Sequence, residues 1–134
     1  MFLKMAIIFV LIFIIGIFFG SFSTLALYRI PLKMNITHER SFCPNCNHKL
    51  GALDLVPLLS YVFLGGKCRY CKEKISPRYF CIELLFGMIA ILFFGLVLKI
   101  SGGIDVFSLF YFLGVMIIFE VLFLFIGVLL KKKM

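Results

Sequence analysis

The sequence predicts an all-α integral membrane protein with three transmembrane helices and a small cytoplasmic zinc-ribbon-like domain between helices 1 and 2. Three observations carry this. Residues 5–27, 79–98 and 106–130 are long apolar runs in a chain of 134 residues that is 63% hydrophobic. Nine of the fourteen Lys and Arg fall between Arg29 and Arg78, and three more are Lys131, Lys132 and Lys133. Two Cys-x-x-Cys pairs, Cys43/Cys46 and Cys68/Cys71, sit inside the charged segment. The mean hydropathy of +1.16 excludes an ordinary soluble domain, and the length leaves no room for a large soluble core.

The first run holds no charge and can cross a hydrocarbon core of about 30 Å. A signal peptide is the competing reading. The run is too long for one, and no small-x-small cleavage site follows it. Gly16 and Gly20 are four apart, with Ser23 and Thr24 a turn on, so one helix face can accept another helix closely or simply tolerate glycine. Tyr28, Arg29 and Pro31 close the helix with an interfacial aromatic, a cation at the negative helix end and a breaker.

Residues 29–78 form the polar domain, after a helix over 1–28. Tetrahedral zinc takes four soft ligands, and the 21 residues between the pairs match zinc-ribbon spacing. Two disulfides or a redox dithiol would use the same residues, but two matched pairs are more specific to metal. Gly65 and Gly66 let the backbone pass close to the thiolates. Lys67, Arg69, Lys72 and Lys74 offset the negative charge of four thiolates around zinc. The intervening stretch is too short and too broken by Pro and Gly to span. Leu53, Val56, Leu58, Leu59, Tyr61, Val62 and Phe63 either pack against the ribbon or lie at the membrane surface. With so small a core, zinc supplies much of this domain's stability.

The second transmembrane helix covers 79–99 and the third 106–130. Cys81 reads as a packed small side chain and not a fifth ligand. Glu83 is either a functional carboxylate or an early-helix acid favoured by the dipole. Glu120 sits mid-span with no basic residue at its depth. It is either protonated or partnered by another subunit, and we expect a polar group of a second membrane chain. The positive-inside rule places the N-terminus outside and both the zinc domain and the lysine tail, a membrane-surface anchor, in the cytoplasm. A reducing cytosol also disfavours disulfides. The basic surplus is a topology signal, and no nucleic-acid partner is expected.

Four stretches resemble one family: GSFSTLALYRIP at 20–31, ERSFCPNC at 39–46, LDLVPLLSYVFLGGKCRYC at 53–71 and ISPRYFCIELLFG at 75–87. They resemble the N-terminal part of bacterial prepilin peptidases, the leader peptidases and N-methyltransferases of type IV pilus and type II secretion systems. The resemblance implies zinc on Cys43, Cys46, Cys68 and Cys71, a multi-pass protein of the bacterial inner membrane, prepilin-like substrates, and S-adenosylmethionine as methyl donor. No glycine-rich methyl-donor fingerprint is present.

The family's peptidase chemistry uses two cytoplasmic aspartates, one in a GxGD motif, because one carboxyl must activate water while the other protonates the leaving group. This chain has only Asp54, in the zinc domain, and Asp105, in the loop expected outside, and no GxGD. The expected function is therefore the zinc-domain part of a prepilin peptidase-like protein. It would work with a second membrane chain that carries the catalytic aspartates, and have no peptidase activity alone. Whether this is a truncated product, half of a split enzyme or a free-standing domain stays open. The alternative is a non-catalytic membrane-anchored zinc module that binds a pilin-like signal segment or partner protein. The candidate residues are the four cysteines, with Gly66, Lys67, Asp54, Glu83 and Glu120 beside them.

Overall fold

The computed structural model describes residues 1–133, with side chains as far as Lys131. The anchor expected at Lys132 and Lys133 therefore lies outside the described side chains. Three long helices form: α1 (Phe2–Arg29), α3 (Arg78–Ser101) and α4 (Val106–Lys133). Between α1 and α3 come a single 3-10 turn (Ala52–Asp54) and the short α2 (Leu59–Phe63). Among the described residues the only β pairing is two isolated antiparallel bridges.

Each long helix is apolar around its whole circumference, as a segment solvated by lipid must be. Their outward side chains, such as Phe18, Leu92, Phe110 and Phe125, are more than half exposed. In lipid the hydrophobic effect does not drive helices together, so close packing decides the contacts. Helix α1 meets α3 where Gly16 and Gly20 remove the side chain. A Cβ on Gly16 would lie 2.6 Å from both the Ala90 Cβ and the Phe86 carbonyl oxygen, and one on Gly20 would lie 2.8 Å from the Glu83 Cα. The small-residue face thus serves a helix of the same chain. Ile12, Ala90, Phe94, Phe112 and Met116 fill the core where all three helices meet. Edge-to-face rings at Phe94–Phe112 and Phe86–Phe123 pin α4 to α3.

Helix α4 leans on α1 through a polar contact. The Ser23 hydroxyl lies 2.7 Å from both carboxylate oxygens of Glu120, and both residues are buried. This corrects the expectation that another chain supplies the partner of Glu120. Glu120 needs no basic partner, because a serine hydroxyl on a neighbouring span satisfies a carboxyl group in hydrocarbon as well. At the end of the same contact the Lys131 ammonium donates to the Leu27 carbonyl at 2.8 Å, satisfying one of the free carbonyls that end α1.

The connectivity puts the segment between α1 and α3 at one end of the bundle and the 102–105 loop at the other. There Asp105 caps α4 by accepting the Ser108 backbone N–H at 2.6 Å. One further expectation is revised: Cys81 is exposed on α3 and not packed. Of the two placements expected for Leu53, Leu59, Val62 and Phe63, packing against the ribbon is excluded; they are 75%, 55%, 62% and 83% exposed.

Candidate metal centre

The two Cys-x-x-Cys segments fold into the same local structure. In the first, a bridge pairs Phe42 with Lys49, the Cys43 N–H donates to the His48 carbonyl at 3.0 Å, and the Asn47 N–H returns to the Cys43 carbonyl at 2.8 Å. In the second, a bridge pairs Lys67 with Lys74, the Cys68 N–H donates to the Glu73 carbonyl at 2.8 Å, and the Lys72 N–H returns to the Cys68 carbonyl at 3.1 Å. Asn47 and Lys72, each directly after the second cysteine of its pair, have φ of +54° and +61°. That left-handed turn aims both sulfurs of a pair at one point, and Asn adopts it more readily than Lys.

The two turns face each other, and all four Sγ atoms of Cys43, Cys46, Cys68 and Cys71 lie within 4.8 Å of one another. The Cys43 and Cys71 sulfurs are 3.8 Å apart, which is the edge of a tetrahedron with metal–sulfur bonds of about 2.3 Å. Four free thiols converging at that spacing form a donor set suited to a metal ion that prefers soft tetrahedral ligands. Cys43 and Cys68 are buried, while Cys46 is open to solvent.

Cys71 is poised as a thiolate. The Glu73 backbone N–H and then the Asn45 side-chain amide, 3.6 Å from the sulfur, lower its pKa to about 6. Cys46 receives the His48 backbone N–H, yet partial desolvation and the neighbouring sulfurs of Cys71, Cys43 and Cys68 push it up to about 11. Four crowded sulfurs cannot all ionise without a cation among them. A bound cation would remove that penalty.

The rest of the domain braces the two turns. The Asp54 carboxylate accepts the Arg69 Nε–H at 2.6 Å, the Tyr70 hydroxyl at 3.3 Å and the Gly51 N–H at 3.1 Å. Arg69 holds the Asp54 carboxyl below the usual range, with the Gly51 N–H and the Tyr70 hydroxyl adding to the effect. Arg69 is thus paired and does not serve as a free counter-charge to the thiolates. The Tyr70 ring of the second turn lies 3.6 Å from the His48 ring of the first. Gly66, at φ +67°, lets the chain pass the Tyr61 hydroxyl, which a Cβ would meet at 2.9 Å. Lys67 is exposed at the bridge with Lys74.

Glu83 and Glu120 lie outside this cluster. The Glu83 carboxylate accepts the Leu58 backbone N–H at 2.8 Å. Between the cysteine domain and the helices is a cavity of about 240 Å³, lined among others by Thr24, Tyr28, Arg29, Cys43, Phe80 and Glu83. Arg29 was overlooked as more than a helix-end cation. It is 3% exposed, and its Nη1 donates to the carbonyls of Asn35 and Ile36 at 2.8 and 3.0 Å, fastening the domain's entry loop to α1. Only its position two residues past the end of the apolar run could have hinted at that.

The profile of the Bacterial Peptidase A24 N-terminal domain matches residues 14–97. Proteins named "Prepilin leader peptidase/N-methyltransferase" are among the relatives. The one from Vibrio cholerae serotype O1 is 46% identical over 89 residues, covering 60% of this chain and 35% of that protein. That from Myxococcus xanthus is 41% identical over 80 residues, covering 60% and 24%. That from Bacillus subtilis is 36% identical over 111 residues, covering 83% and 44%. The chain thus spans less than half the length of these relatives. No solved structure matches it.

Proposed function

Because the chain belongs to the family of the bacterial Peptidase A24 N-terminal domain, we propose that it is the zinc-domain part of a prepilin peptidase-like membrane protein. In this reading it acts in prepilin leader processing or N-methylation together with a separate part that carries an aspartyl protease. The observation that carries the reading is the four-sulfur cluster: its two matched turns fall wholly inside the segment that the family shares. Zinc is the metal we assign to Cys43, Cys46, Cys68 and Cys71, with residues 29–78 as the metal domain between spans over 1–28 and 79–99, followed by a third over 106–130. Its role there is structural, since four thiolates leave no open position for substrate or water. The relatives' names print an N-methyltransferase, and S-adenosylmethionine is the methyl donor we assign to that step.

The proteolytic step is assigned elsewhere. Asp54 is committed to Arg69, and Asp105 caps α4 beyond the far end of α3, which at 24 residues is about 36 Å long. Two carboxyls must meet at one peptide bond to share acid and base work. The same placement favours the second reading, a non-catalytic module that holds a pilin-like signal segment. We further place the metal domain and the C-terminus on the cytoplasmic side of a bacterial inner membrane.

The test is co-expression in a host lacking prepilin peptidase. The chain is paired with a membrane protein carrying two cytoplasmic aspartates and with a prepilin-like substrate. Leader cleavage or N-terminal methylation should rise when the chain is present and fall back with Cys43→Ser. Processing that is the same with and without the chain contradicts a part in the enzyme and leaves the binding module.

A further inference from the structure

A carboxylate inside a span calls for an explanation, and Glu83 has a specific one. It is five residues into α3, about 7.5 Å along the axis from Arg78, and level with Gly20, about 13 Å inward from the end of α1. Across to the cysteine domain, its carboxylate accepts the backbone N–H of Leu58, the residue that precedes α2. The loop between the cysteine pairs therefore reaches α3 five residues inside the helix, beyond its first residues Arg78 and Tyr79. A backbone N–H at that depth has no water to bond and needs an acceptor from the protein.

The side chains of α2 agree with such a depth. Tyr61 turns inward: its ring centroid is 5.3 Å from that of Phe80 on α3, and its hydroxyl reaches the Ile75 carbonyl at 3.5 Å. Leu59, Val62 and Phe63, spaced three and four apart on the opposite face, are all more than half exposed. Three large apolar side chains on one turn, tied to α3 by a partly buried hydrogen bond, would be poorly placed in water. Exposed Lys67 and Lys74 follow α2 in the chain and supply cations suited to lipid phosphates.

We propose that residues 55–64 form a monotopic wedge, with Leu59, Val62 and Phe63 inserted among lipid acyl chains and Glu83 holding the wedge at depth through the Leu58 N–H. The occupant of this face is the bilayer already spanned by α1, α3 and α4, which surrounds the helix the wedge lies on. Such an insertion of a few ångströms past the headgroups is the usual depth of an interfacial helix. It would fix the cysteine domain against the membrane plane and close the outer side of the cavity behind α2. The inference does not depend on what the protein processes.

The chain has no Trp, so one introduced Trp reports its surroundings alone. Full-length Phe63→Trp is reconstituted into phosphatidylethanolamine–phosphatidylglycerol vesicles with and without bromine on the acyl chains, beside Glu39→Trp on the exposed entry loop. Phe63→Trp should emit at shorter wavelength than Glu39→Trp, and brominated lipid should quench it several-fold more. Red-shifted emission quenched by aqueous iodide overturns the proposal. So does blue-shifted emission that brominated lipid leaves unchanged, because protein and not lipid would then cover the face. In the same background Glu83→Gln, which keeps an acceptor oxygen, should preserve the quenching and Glu83→Leu should reduce it. Equal quenching in all three overturns the anchoring role of Glu83.

Discussion

Ser23 of α1 and Glu120 of α4 are hydrogen-bonded across the buried interior of the helix bundle, 2.7 Å apart and 97 positions apart in sequence. It is the buried polar contact that ties the third span to the first. Helix α4 also packs Phe112 and Met116 into the core with Ile12, sets its rings against α3 and bonds the end of α1 through Lys131. A polar pair of this kind in hydrocarbon contributes modestly, because separated helices find other partners. The average is about 0.6 kcal/mol and the largest measured about 1.7.

The coupling between these two residues is the first prediction. Ser23→Ala and Glu120→Leu should each destabilise the bundle, and the double variant should lose less than their sum by about 0.6 kcal/mol. The measurement is a double-mutant cycle of unfolding in mixed micelles. Strict additivity would show that the pair contributes nothing as a pair.

Helix contact through missing side chains is the second. Gly16→Leu places carbon where the Ala90 Cβ and the Phe86 carbonyl already stand, so overpacking should cost at least about 1–3 kcal/mol. Gly114→Ala is the comparison, since nothing lies within 4 Å of its Cβ, and it should be near neutral. Equal stability of the two variants in the same micelle titration would mean that α1 and α3 do not pack along this face.

The spans and the cysteine cluster were legible in the sequence because each is written locally. Hydropathy over some twenty residues defines a span, and two matched pairs define a ligand set. What failed was information that exists only between elements. Glu120 looked orphaned because nothing local says that Ser23 will lie opposite it. Cys81 looked like packing material because the lipid-facing side of α3 is as apolar as its core-facing side, so periodicity cannot tell them apart. Leu59, Val62 and Phe63 read equally as ribbon core or membrane surface until Tyr61 was seen to take the inward position. Glu83 stayed ambiguous because its partner is a backbone N–H, which no sequence pattern displays.

The third prediction concerns sidedness. Lys131 bonds the last turn of α1, so the C-terminal end of α4 and the cysteine domain share one face of the bundle. Reporters inserted near Gly51 and fused after the lysine tail should respond alike, and the charge bias predicts the cytoplasmic side for both. Labelling of the Gly51 site from outside intact cells would contradict the orientation.

Acid resistance gives the fourth. The Arg69 hydrogen bond depresses the Asp54 pKa. Its contribution is therefore complete above the ordinary carboxylate value of about 3.9, and is lost only as pH falls through the lower folded value. Protons displace metal from thiolates as pH falls, and Asp54 still braces the second turn over that range. Asp54→Asn should release zinc at a higher pH than the wild type, followed with a chromogenic chelator. Coincident release curves would show that the ion pair does not support the centre.

The metal content of the purified full-length chain tests the central claim most directly. Protein prepared without chelator should hold one zinc per chain. Cys43→Ser, Cys46→Ser, Cys68→Ser and Cys71→Ser should each abolish stoichiometric binding and leave residues 40–75 open to proteolysis. A metal-free wild type with residues 40–75 still protease-resistant would contradict the account, because the fold of this domain would then stand without the ion that its four sulfurs are arranged to hold.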